Sequence, residues 1–97
     1  MSAYLIVHAT VKDADKLQKY AAGAGPTLDA HGGEFVIRGG VFEVFTGSHD
    51  HQMSVIIKFP DGDSLRAWYA SDAYQAMIPT RSQAMDATFI GIEEPPQ

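Results

Sequence analysis

The sequence contains no cysteine. That excludes disulfides, thiolate nucleophiles and thiolate metal sites together, and gives no sign of an oxidising compartment. It contains no asparagine either, so no N-glycosylation acceptor exists. Basic residues are few: seven Lys and Arg stand against twelve Asp and Glu, for a net charge of −5 with neutral histidines. Binding to nucleic acid rests on clustered Lys and Arg that displace condensed counterions, so no nucleic-acid partner is expected. No run approaches the ~20 apolar residues that span a bilayer. The start, Met1–His8, lacks the basic leader of a signal peptide. The expectation is a soluble cytoplasmic protein with no membrane contact. A glycine-rich phosphate loop, a dinucleotide fingerprint and a nucleophile elbow are all missing, and no cofactor is expected.

What is present is 97 residues of ordinary globular composition, 45% hydrophobic and 20% charged. A chain of this length forms one domain and buries only about 60–65% of its unfolded surface, which favours burying more against a second copy. Residues 3–11 read as a strand, with Leu5, Val7, Ala9 and Val11 on a core face and Tyr4, Ile6, His8 and Thr10 on the other. Asp13 or Asp15 caps a helix whose inward stripe is Leu17, Tyr20, Ala21, Ala24 and Leu28, broken or kinked by Pro26 and ended by Gly32-Gly33. Residues 34–38 and 41–46 read as two strand segments joined through Arg38-Gly39-Gly40, whose two glycines suggest a bulge or a bend. A hairpin loop over 47–51 leads to a third strand, 53–59. Pro60–Asp63 precedes a helix bearing Leu65, Trp68 and Tyr69, and Ser71 caps a further helical stretch to Met85 divided by Pro79. Residues 87–92 form the last strand. The domain spans 1–92, with 93–97 a polar tail.

The order is βαββαβ, an α+β ferredoxin-like arrangement with a four-stranded antiparallel sheet and helices on one face. The second sheet face carries Ile6, Val36 and Ile56, too apolar to leave in water. The expected partner is a second copy, a homodimer stacked through that face.

The segments Gly32–Gly40, Ile57–Pro60, Ala67–Gln75 and Ile78–Arg81 together resemble the family known as domain of unknown function 1330. The resemblance runs from about Tyr4 to Gly91 and implies the dimeric α+β barrel fold. That superfamily includes cofactor-independent monooxygenases, small-lactone isomerases, haem-handling proteins and plain binding modules, so the fold implies no single chemistry. The loop Ser48-His49-Asp50-His51 is richer in histidine than the resemblance leads one to expect.

Five residues carry the candidate chemistry. Tyr74, Ile78, Arg81 and Met85 fall on one helical stripe, so Arg81 shares the inward face and either anchors a carboxylate-bearing ligand, joins an internal ion pair, or reaches water through a kink at Pro79. Arg38, beside the two glycines, either contacts a ligand or serves the bend. Tyr69 and Tyr74 either offer hydroxyls to a pocket between helices and sheet or simply pack. His8 could pair with Lys58 and stay a neutral base, although a hydrogen-bonded histidine is the plainer reading. His49-Asp50-His51 reads as a solvated turn rather than a metal site, since it lacks a third ligand. The function expected is a dimeric small-molecule-binding protein, with cofactor-independent enzymatic activity on an anionic or carbonyl-bearing metabolite within its reach. The alternative is a non-catalytic dimeric structural or regulatory module.

Overall fold

Local signals place most of the elements. In the computed structural model, which describes residues 1–96, β1 runs Ala3–Val11 with Ala3, Leu5, Val7 and Ala9 buried and the alternate residues half-buried. The Asp13 carboxylate accepts from the Lys16 N–H at 3.1 Å and opens α1, Ala14–Asp29. Of the break or kink expected at Pro26, the break does not occur: the helix continues through it. Thr27 and Leu28 behind it are buried, and their packing holds the last turn in place despite the lost N–H. Gly32, at φ +77°, then turns the chain into β2, Glu34–Gly40.

After β3, Met53–Phe59, the Asp61 carboxylate accepts from Ser64 N–H at 2.7 Å and starts α2, Gly62–Ala70. The Ser71 hydroxyl accepts from Tyr74 N–H and starts the short α3, Asp72–Gln75. Pro79 occupies the first turn of α4, Ile78–Ala84, where its missing N–H costs nothing. The last strand, β4, runs Met85–Glu93, starting two residues earlier than expected.

The sheet order is β2-β3-β1-β4, antiparallel throughout, with the helices on one side. The core lies between them: Leu5, Val7, Val55, Ile57 and Phe59 from the sheet meet Ala24 and Leu28 of α1, Trp68 of α2 and Tyr74 of α3. Trp68 and Tyr74 stack with ring centroids 4.1 Å apart, and both are almost fully buried. The Trp68 indole N–H donates to the Thr27 hydroxyl at 3.0 Å, which itself donates to the Ala24 carbonyl at 2.6 Å. This bond ties α2 to α1 through the core.

Three readings of the β2 region are corrected. The irregularity in β2 lies at Val36, where pairing steps from Phe35↔Ile57 to Ile37↔Ile56. Gly39 and Gly40 pair regularly with Ser54 and Met53, so they are not the bulge, and neither has a positive φ. The bulge also puts Ile37, rather than Val36, in register with the second face. One row on that face therefore crosses all four strands as Ile37, Ile56, Ile6 and Ile90. The segment 41–46 is not a strand: among the described residues it has no neighbouring strand, and its only backbone bond there is Val41 N–H to the Gln52 carbonyl at 2.8 Å.

The Trp68–Thr27 bond gives a test of the core. Thr27→Val keeps the side-chain shape but leaves the buried indole N–H unpaired. It should destabilise the protein by about 1–3 kcal/mol, read as a lower urea midpoint at unchanged slope. An unaltered midpoint would mean that the bond contributes nothing.

Candidate functional site

The helices do not fill the space above the sheet. α1 meets the sheet with small residues, Ala21, Ala24 and Gly25, and leaves a cavity of about 360 Å³ against β2 and β3. Its floor is Leu5, Val7, Val55 and Ile57, and Trp68, Met85 and Phe89 close one end. At the other end stand Phe35 and Arg38 of the exposed edge strand, which makes them the mouth. The Arg38 guanidinium lies over the Phe35 ring, 4.8 Å from its centroid, and among the described residues it makes no ion pair or hydrogen bond. The polar side chains of the lining are Gln18, Tyr20 and Arg38. No carboxylate or imidazole is among them. A shallower groove, also bounded by Phe89, takes in Tyr69 and Arg66.

Arg81, Tyr69 and Tyr74 do come together, though not as an open anion site. One Arg81 amino group donates to the Tyr74 hydroxyl at 2.8 Å and to the Tyr69 hydroxyl at 3.3 Å. The guanidinium lies over Phe89, 4.6 Å from the ring centroid. The internal carboxylate considered from the sequence is absent: among the described residues Arg81 has no acidic partner within 4.0 Å, and phenol oxygens with a ring face take its place. Burial tends to lower the arginine's pKa, and the two phenol hydrogen bonds more than offset that, so it rises above its ordinary value.

The Tyr74 hydroxyl lies 2.7 Å from that of Tyr20. Because Arg81 can only donate, Tyr74 accepts from it, while between Tyr74 and Tyr20 either hydroxyl can be the donor. Tyr20 also lines the cavity. Tyr20 was read from the sequence only as part of a helical stripe. Its hydroxyl was the available signal, but its partner lies 54 positions away. Burial, reinforced by the Tyr74 hydroxyl, pushes the Tyr20 pKa far above the ordinary value of 10.0, and burial raises Tyr74 as well.

His8 stands on the opposite side of the sheet from the cavity. It faces Ser54, not Lys58: its Nδ1 is 2.9 Å from the Ser54 hydroxyl, while Lys58 pairs with Tyr4 and Glu34 in another row. The loop after Gly47 is not a solvated turn. His49 packs edge-on against His8, with ring centroids 4.7 Å apart, and His51 Nδ1 lies 3.0 Å from the Thr10 hydroxyl. The loop thus folds back over the polar end of the second face. Among the described residues no group of three His, Asp or Glu could hold a metal ion. No helix there is long and apolar enough to cross a membrane.

The raised tyrosine pKa values set a pH window. Folding stabilises the neutral phenols, so this contribution is complete below the unfolded value of about 10 and is lost as pH rises beyond it. Phenolate absorbance from Tyr20 and Tyr74, isolated by comparison with Tyr20→Phe and Tyr74→Phe, should therefore appear only as the far-UV signal of the folded protein is lost. Phenolate from either residue in still-folded protein near pH 10 would contradict it.

Comparison with known proteins agrees with this architecture. No curated protein matches the sequence. Among solved structures, a protein of unknown function from Rhodopseudomonas palustris is 15% identical, with a TM-score of 0.79 over 99% of this chain and 84% of that one. SnoaB, a cofactor-independent oxygenase from Streptomyces nogalater, is 14% identical, with a TM-score of 0.69 over 99% and 95%. A dimeric ferredoxin-like protein of unknown function from Thermobifida fusca is 12% identical, with a TM-score of 0.64 over 97% and 92%. At these identities the likeness establishes the fold, which is ferredoxin-like α+β. Over residues 2–95 the sequence matches the family described as Domain of unknown function (DUF1330), and the chain belongs to that family.

Proposed function

We propose that this chain is a dimeric small-molecule-binding protein whose ligand occupies the cavity beneath α1. The observation that carries the reading is the cavity itself: about 360 Å³, walled by aliphatic and aromatic side chains, with a lone cation at its mouth. Apolar walls with a few placed polar groups are the usual make-up of a ligand site. The chemistry fits a ligand with an apolar or aromatic body. Its carboxylate or other anionic group meets Arg38, and a carbonyl accepts from the Tyr20 hydroxyl.

Arg81, Tyr74 and Tyr69 act one step back in this reading. The guanidinium orients Tyr74, and Tyr74 orients Tyr20. That is a positioning role, which favours a structural over an anchoring part for Arg81. A reaction without cofactor fits the site only in part. Arg38 and Tyr20 suit the stabilisation of an oxyanion, but the lining supplies no general base, so the substrate would have to arrive already ionised. SnoaB, an oxygenase on a similar fold, supports such chemistry as analogy alone. The dimer is supported by the row of four isoleucines on the uncovered sheet face and by the dimeric proteins from Thermobifida fusca and Jannaschia sp. that share the fold.

Trp68 is the only tryptophan and stands in the cavity wall, so its emission reports occupancy directly. Titration with aryl and alkyl carboxylates, alongside the matching alcohols, should change that emission. Arg38→Ala should weaken the carboxylates about tenfold or more and leave the alcohols unchanged. Gly25 has open space where a Cβ would stand, so Gly25→Leu should occupy the cavity and abolish both responses without unfolding the protein. Silence from the whole panel, or carboxylate affinity unaffected by Arg38→Ala, would overturn the reading.

A further inference from the structure

The cavity and the shallower groove share one floor. Strand register lines up Arg38, Val55, Val7 and Phe89 as a row across all four strands, and Phe35, Ile57, Leu5 and Gly91 as the next. Both rows face the helices, and they floor the cavity and then the groove in succession. Leu5 and Phe89 belong to both linings. The second row ends in Gly91, so β4 carries no side chain there, and the groove opens beneath α2 at the edge of the sheet. The shared wall is made of side chains. The Phe89 ring meets the Tyr69 ring edge to face, with centroids 6.3 Å apart. Arg81 holds both rings, donating to the Tyr69 hydroxyl at 3.3 Å and lying 4.6 Å from the Phe89 centroid.

We infer that cavity and groove are one binding trough parted by the Phe89 ring, and that its ligand is a straight-chain alkyl carboxylate long enough to cross from the β2 edge to the β4 edge. The inference rests on the ligand reading above and extends it past Phe89. β2 and β4 stand three strand spacings apart, ~14 Å at ~4.8 Å each. A compact ligand held at Arg38 leaves the groove unused, whereas an extended chain lies along both. The charge is one-sided. Arg38 at the β2 mouth has no ionic partner among the described residues, while Arg66 beside the groove is already paired with Asp63 at 3.2 Å. One free cation and a long apolar floor match one carboxylate and one alkyl tail. Because Phe89 and Tyr69 are in contact, the passage opens by turning the Phe89 side chain to another rotamer. That movement gives up its contact with Arg81 and no strand hydrogen bond, and it admits a single chain rather than a fused ring system.

The test is a titration with straight-chain carboxylates from hexanoate to tetradecanoate, each below its micellar concentration, read by Trp68 emission and calorimetry on the wild type and on Gly91→Val. A Cβ at Gly91 meets only Leu65, at an ordinary 3.8 Å, so the valine stands in the groove and leaves the strand in place. On the wild type, affinity should rise by up to about fourfold with each added methylene through the long members of the series. On Gly91→Val the short acids should bind as before, and the rise should stop at the length that fills the cavity. The longest acids should then bind on the order of 100-fold more weakly than to the wild type. Should Gly91→Val not fold, Ala70→Phe fills the groove from the exposed end of α2 and should give the same levelling. An affinity that levels off at the same chain length with and without the plug would overturn the inference and leave the ligand reading standing. A dicarboxylate that binds more tightly than the monocarboxylate of equal length would do the same. Silence from every member of the series would remove both.

Discussion

A four-stranded sheet has two faces and two edges, and this chain has helices enough for part of one face. The molecule is accordingly a slab, 35 × 35 × 16 Å, one helix layer on one sheet layer. The rest of the architecture follows from that shortage. α1 meets the sheet along one long stripe, while α2, α3 and α4 gather around Trp68 and Tyr74 over β1 and β4. The edge strand β2 is covered least, and every one of its residues is exposed. A cavity opens where α1 stands over β2 and β3, and the far face keeps its isoleucines bare. The cavity and the uncovered face are two results of one deficit of covering surface.

The Arg81 group shows how such a fold seats a half-buried cation without an acid. A guanidinium partly withdrawn from water needs acceptors, and a single carboxylate would neutralise it at the cost of desolvating two charges. Here phenol oxygens and the face of Phe89 do the work, and the arginine keeps its charge. The arrangement binds α2, α3 and α4 to β4 through one side chain and passes orientation to Tyr20 on α1. The apolar stripe on which Arg81 sits is thus less a contradiction than a place where aromatic rings substitute for counterions.

Much of this was legible in order along the chain, because it depends on near neighbours. The caps at Asp13 and Ser71, the turn at Gly32 and the helix start at Pro79 each need only a few adjacent residues. Where the sequence misleads, the deciding contact is distant. The bulge at Val36 exists only in register against β3. Pro26 is overridden by the burial of Thr27 and Leu28. The strand pattern at 41–46 is real as a pattern, but among the described residues no strand pairs with it. Of the candidate residues, Arg81, Tyr69 and Tyr74 proved to be neighbours, whereas Arg38 stands across the cavity and His8 lies behind the sheet. Tyr20 was missed because a tyrosine on an apolar stripe looks like packing until its hydroxyl is seen to face Tyr74.

The small residues of α1 have a consequence for how such a protein diversifies. Ala21, Ala24 and Gly25 set the height of the cavity roof, while its floor is built from strands whose pairing the whole domain shares. Enlarging or shrinking those three side chains alters the volume of the cavity from the helix side, away from the paired strands. Chains on this scaffold can therefore differ in that volume through one helix alone, with the sheet held constant.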